Sequence, residues 1–222
     1  MTAHVLWIGI TLGIFFLWRT VYLRFGHASL HPVLWSTVCL IGLVLASQCR
    51  ITAFKQATSP LVWLLGPAVV AMALPVWQRR ALIVEHWLMF AIVIGASLLV
   101  AVGTSHFLPP LLGLDMSRAL AVKSVTAPVA LGIGAQIGLR QDFVVVGVMT
   151  SGLFGVLLGP VLLASGGLRG DSPAVGAALG CASHGLGTAR AYEIGATAGA
   201  FASVSMGLSA LAYGVILPFL LA

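Results

Sequence analysis

The sequence predicts an all-α polytopic membrane protein with about seven or eight membrane segments, some of them broken or re-entrant half-helices. Three observations lead there. The 222 residues are 60% hydrophobic and only 7% charged, with a mean hydropathy of +1.10, whereas a water-soluble domain carries about 25% charged residues. Its 11 Lys/Arg and 5 Asp/Glu fall singly or in pairs between long uncharged intervals. Two of those intervals, Ser124–Leu139 and Ser172–Ala189, are rich in Gly, Ala and Pro, and the second is poor in large aliphatics. Lipid is therefore the solvent, and disorder, a disulfide scaffold, a coiled coil and a soluble fold are excluded.

The ordinary spans come first. His4–Trp18, Val33–Ser47, Trp87–Thr104, Phe143–Ala164 and Phe201–Leu221 are dominated by Leu, Val, Ile and Phe, with Trp and Tyr near their ends, where aromatic rings favour the headgroup level. Met1–His4 lacks a basic n-region, so the first apolar run is expected to be a retained span. Arg19/Arg24, Arg50/Lys55 and Arg79/Arg80 mark the first three loops, and their distribution favours a cytoplasmic first loop.

The remaining segments are interrupted. Leu61–Trp77 contains Gly66, Pro67 and Pro75, and proline supplies no amide donor, so its helix must break. Ser124–Leu139 contains Pro128 and several glycines, and neither it nor Ser172–Ala189 would insert well against lipid alone. Irregular backbone at membrane depth survives where it is buried in protein or lines a wet cavity, and interrupted helices point to the central site of a transporter. Tight packing through small residues is the other reading; it accounts for the alanines better than for the clustered Pro, Ser, Thr, Lys and His. Three times a small-residue element precedes a charged link and a full span, which suggests either an internal repeat or similar composition. Residues 1–58 are expected to form scaffold or oligomerisation spans, and 59–222 a transport core.

Net charge is +6, but there is no basic tail, so anionic headgroups rather than nucleic acid are the expected partner. Cys39, Cys49 and Cys181 show no metal-ligand spacing and read as packing residues; no cofactor or metal is expected. The acids stand in separate links, no Walker loop or dinucleotide fingerprint is present, and Ser183 and His184 are neighbours that point apart, so an enzyme is not expected.

Two constellations can carry chemistry. Lys123-Ser124-Val125-Thr126-Ala127-Pro128 sets a cation and two hydroxyls before a proline. A helix starting there would aim free amides and its positive dipole end at a small anion; alternatively Lys123 snorkels while Ser124 and Thr126 cap the helix. Ser183-His184-Gly185-Leu186-Gly187-Thr188-Ala189-Arg190 offers glycines for a sharp turn, Thr188 as a cap for a following helix, and Arg190 to hold a carboxylate. His184 could change protonation state and couple a proton. The competing reading is a structural histidine with an Arg190–Glu193 pair at i, i+3. Substrate-binding candidates are thus Lys123, Ser124, Thr126, Ser183, His184, Gly185, Gly187, Thr188 and Arg190.

LLGPAVVAMALPVWQRR (64–80), KSVTAPVAL (123–131) and CASHGLGTARAYEIGATAGAFASVSMGL (181–208) resemble the LrgB/CidB family, which includes the C-terminal half of the plastidal glycolate/glycerate transporter. The match runs along essentially the whole chain and is most specific from Leu61 onward. Val122, Ala127 and Leu139-Arg140-Gln141 depart from the family pattern, and the Ala127 change removes a hydroxyl beside the proposed site. The resemblance implies a multi-pass protein of the bacterial inner membrane, working with a small LrgA/CidA-type membrane partner and expected to form a homo-oligomer, such as a dimer. It also implies one of two functions. One is transport of small monocarboxylates such as glycolate, glycerate, pyruvate or lactate by alternating access. The alternative is holin/antiholin-like control of murein hydrolase activity and lysis, with no transported substrate.

Overall fold

A computed structural model describes residues 2–112 and 117–221, and Asp115 lies outside them. Among the described residues the chain is helical, with no strands. Five stretches are long and apolar enough to cross a membrane: His4–Phe25, Ser59–Gln78, Trp87–Pro109, Gln141–Ser165 and Ala196–Leu221. Shorter apolar helices accompany them. The chain divides into two compact units, Met1–Ala68 and Val69–Ala222.

In the first unit, α1 (Thr2–Phe25) pairs with α2 (Pro32–Ala46) and with α3 (Ile51–Ala57). Aromatic contacts fasten the pairs: Trp18 stacks on Trp35 at 5.1 Å between centroids, and Trp7 meets Phe54 edge-on at 5.2 Å. Arg19 and Arg24 were expected in a loop but belong to α1, which runs past them. Long basic side chains can reach the headgroups from within the last turns, and Arg24 near the helix C-terminus suits the dipole.

The Pro-rich stretch is split as its prolines dictate. Helix α4 (Ser59–Trp63) stops at Trp63 and α5 (Leu65–Ala71) at Ala71. These residues stand four before Pro67 and Pro75, where the ring crowds the carbonyl and the amide donor is missing. The path continues as α6 (Ala73–Gln78) and α7 (Arg80–Glu85).

The second unit is built around α8 (Trp87–Leu112), α11 (Gln141–Ser165), α12 (Pro173–Ile194) and α13 (Ala196–Leu221). Between α8 and α11 lie the short α9 (Ser117–Ala121) and α10 (Ala127–Gln136), separated by non-helical residues 122–126. Helices α12 and α13 form the most extensive pair. Their approach needs glycine: a Cβ on Gly176 or Gly180 would collide with the backbone of Ala198 or Ala202. Where water gives no hydrophobic drive between helices, such small-residue contact is what holds them together. A core of Val122, Val125, Ile133, Val144, Val148 and Tyr213, each almost fully buried, gathers around the 122–126 break.

Candidate functional site

The most unusual backbone lies inside α12, where Ser183 (φ −132°, ψ 16°) and His184 (φ 43°, ψ −130°) leave the helical region. A positive φ with this ψ is glycine territory, and holding a histidine there costs about 1–3 kcal/mol. The turn expected at Gly185-Leu186-Gly187 therefore falls one step earlier, on the polar residues themselves. The glycines have other work. A Cβ on Gly187 would strike the Leu179 carbonyl, so this glycine lets the two halves of α12 close on each other, whereas Gly185 faces open space.

Both breaks rest on α11. The His184 Nε2 lies 3.1 Å from the Val148 carbonyl oxygen; a carbonyl can only accept, so Nε2 carries the proton and donates. One turn further along, the Ser151 hydroxyl donates to the Lys123 carbonyl at 2.6 Å. Glycines on α11 make room for these side chains. A Cβ on Gly152 would stand 2.8 Å from the imidazole, and one on Gly155 would overlap the Ser183 side chain. Lys123 and His184, 61 positions apart in the chain, thus meet one helical turn of the same helix.

Lys123 borders two cavities. The larger, about 520 Å³, runs between α8, α11 and the first half of α12, with Thr104, Thr150, Ser151 and Ser183 as its other polar lining residues. The smaller, about 330 Å³, is lined by Ser97, Ser124 and Cys181 among apolar residues of α8 and α12. Lys123, Ala178 and Ala182 contribute to both. The Lys123 ammonium donates to the Thr104 hydroxyl at 2.8 Å, and among the described residues no carboxylate forms an ion pair with it. In the wall of the smaller cavity, the Ser97 hydroxyl lies 2.9 Å from the Tyr213 hydroxyl and donates to the Cys181 carbonyl at 3.3 Å.

The other candidates sit elsewhere. Thr126 occupies the N-cap position of α10 but makes no capping bond, and its Oγ1 is buried without a hydrogen-bond partner among the described residues. Thr188, expected to cap a following helix, lies inside the second half of α12 and donates to the His184 carbonyl at 2.9 Å. Arg190 pairs with Glu193 at 2.6 Å, and neither cavity includes it or His184. Ser97, Thr104, Ser151, Tyr213 and the α11 glycines escaped the sequence reading. The run Gly147-x3-Ser151-Gly152-x2-Gly155-x3-Gly159 was the available signal, because small residues on one helix face mark close packing.

These features define a multi-pass α-helical membrane protein whose interrupted helices meet beside a half-buried cation. The chain belongs to the LrgB-like family, whose family model matches residues 11–222. It is 35% identical to the uncharacterized protein YxaC of Bacillus subtilis over 193 residues, covering 86% of this chain and 84% of that protein. To the holin-like protein CidB of Staphylococcus epidermidis it is 28% identical over 223 residues, 98% of this chain and 95% of that protein. CidB of Staphylococcus aureus matches at the same identity and coverage. No solved structure matches.

Proposed function

We propose that this chain is a holin/antiholin-like membrane protein, which controls murein hydrolase activity and lysis from the bacterial inner membrane together with a small LrgA/CidA-type partner. The observation that carries this reading is the near full-length similarity to CidB proteins named holin-like. Its test is expression in a bacterial host with and without the partner, with murein hydrolase activity and lysis followed in the same cultures. Lysis or hydrolase activity that shifts with this chain, and shifts further with the partner, supports the reading. Cultures indistinguishable from an empty vector would overturn it.

A second reading has its own support: transport of small monocarboxylates by alternating access. A lysis regulator working through helix packing has no need of a cation between two cavities, and leaving an ammonium inside the membrane without a counter-ion is costly. Lys123 has that setting, with no carboxylate ion-paired to it among the described residues. In this reading the substrate carboxylate completes the charge, and movement of the α9–α10 and α12 breaks exposes Lys123 to each side in turn. His184 would sense or pass a proton through the contact it makes with α11. Saturable uptake of labelled pyruvate, glycolate or lactate into proteoliposomes supports this reading, and its absence with and without the partner contradicts it.

A further inference from the structure

We propose that the larger cavity takes carboxylates carrying an aliphatic chain, head on Lys123 and chain along α11, in preference to short hydroxy acids such as glycolate and glycerate. This rests on the monocarboxylate reading and narrows its substrate class.

Most of the cavity's polar groups gather at one end. Lys123, Thr104, Thr150 and Ser151 lie there, Ser183 stands one turn further along against Gly155, and the rest of the wall is Leu108, Leu120, Phe154, Leu158, Leu162 and Leu179 with small residues between. From Ser151 to Leu162 is eleven residues along α11, about 16 Å at the helical rise. The hydroxyls at the polar end have spent their protons. Thr104 donates to the Val100 carbonyl, Thr150 to the Val146 carbonyl, each at 2.7 Å, and Ser151 to the Lys123 carbonyl. Only the Lys123 ammonium, with three donors of which one reaches Thr104, retains N–H groups to offer. A carboxylate is satisfied by that cation; the two hydroxyls of glycerate would find at most the single Ser183 hydroxyl and otherwise hydrocarbon, losing most of their water without replacement. Size agrees. A volume of about 520 Å³ falls in the range that holds drug-sized ligands, and glycolate would leave most of it empty. Phe154, Leu158 and Leu162 are exposed, and on a helix apolar enough to cross a membrane such side chains face lipid tails, so a chain lying there would contact protein or hydrocarbon throughout.

The test is equilibrium binding of labelled propionate, butyrate, hexanoate and glycolate, with hexanol as an uncharged control, to the purified protein in nanodiscs. Partitioning into empty nanodiscs is subtracted. Each added methylene should tighten binding about fourfold, so hexanoate should bind roughly sixty-fold more tightly than propionate, and glycolate no more tightly than propionate. Lys123→Met should abolish the saturable component. Lys123→Arg keeps the cation and should retain the ladder, which guards against a folding defect in the Met variant. Leu158→Asn should flatten the ladder, bringing hexanoate affinity down toward that of propionate. Equal affinity for propionate and hexanoate, both lost in Lys123→Met, would overturn the chain preference and leave the monocarboxylate reading standing. Hexanol binding as tightly as hexanoate would overturn it as well, by making the cavity a lipid groove. No saturable binding of any acid would overturn both.

Discussion

Replacing Gly152 by alanine tests whether His184 is seated on α11. An added Cβ would stand 2.8 Å from His184 Cε1 and 2.9 Å from its Nε2, with Leu186 Cδ1 also at 2.8 Å. The imidazole cannot withdraw easily, because it is buried and tied to the Val148 carbonyl. Overpacking of this kind costs about 1–3 kcal/mol, and loss of the hydrogen bond adds about 0.5–1.5 kcal/mol. The sum, about 1.5–4.5 kcal/mol, corresponds to a fall in apparent melting temperature of roughly 3–18 °C for a chain of this size. Gly132→Ala is the control: that glycine lies within α10 with open space around its Cβ position. There alanine should be neutral or stabilising by about 0.4–1 kcal/mol. The assay is thermal unfolding of both variants in one detergent, followed by circular dichroism. A Gly152→Ala protein as stable as Gly132→Ala would refute the packing of the α12 break against α11.

Asp171, in the link between α11 and α12, accepts from the amides of Ala198 at 2.6 Å and Thr197 at 3.2 Å. Those amides, Ala198 first, hold its carboxyl below the usual carboxylate range against an opposing effect of burial. A lowered folded value means that its stabilisation is present above the unfolded value, near 3.9, and is lost as pH falls through the folded one. Asp171→Ala should therefore melt earlier than wild type at pH 7, and the gap should close in melts carried down toward pH 2.5. A gap unchanged by acid would mean that the charge does not matter. His184→Gln keeps a donor for the Val148 carbonyl but cannot titrate, so if the imidazole couples a proton, uptake measured from pH 5 to 8 should lose its pH dependence. The same profile in both proteins would leave His184 as a positioning residue for the α12 break.

The membrane class and the broken helices were legible because they rest on composition and on proline. The segment 59–78 broke four residues before each proline, for a reason local to the chain. The α12 break was harder to place. Gly185 and Gly187 advertise a turn, yet tertiary packing puts the positive φ on His184 and uses Gly187 for the approach to Leu179. Arg190 shows the opposite failing: the i, i+3 spacing to Glu193 was visible in the sequence, and that local pair is the one formed. The role of α11 was hidden because a span of Val, Leu and Phe looks uniform. Which of its faces carries Gly147, Ser151, Gly152 and Gly155 matters only once two distant breaks are folded against it. Thr104 was invisible for the same reason, since its partner lies 19 residues away across a link.

The monocarboxylate reading depends on Lys123 as an anion-binding group, and one measurement separates it directly from the holin-like reading. Proteoliposomes holding a trapped fluorescent dye are given a labelled monocarboxylate, and uptake and dye release are followed together for wild type, Lys123→Met and Lys123→Arg. Removing the charge-assisted hydrogen bond should cost about 1.5–3 kcal/mol, roughly ten- to a hundred-fold in affinity. Wild type should accumulate the acid saturably while retaining the dye, with uptake lost in Lys123→Met and largely kept in Lys123→Arg. Uptake that is unchanged in a well-folded Lys123→Met protein, or acid and dye escaping together whatever stands at position 123, would contradict it.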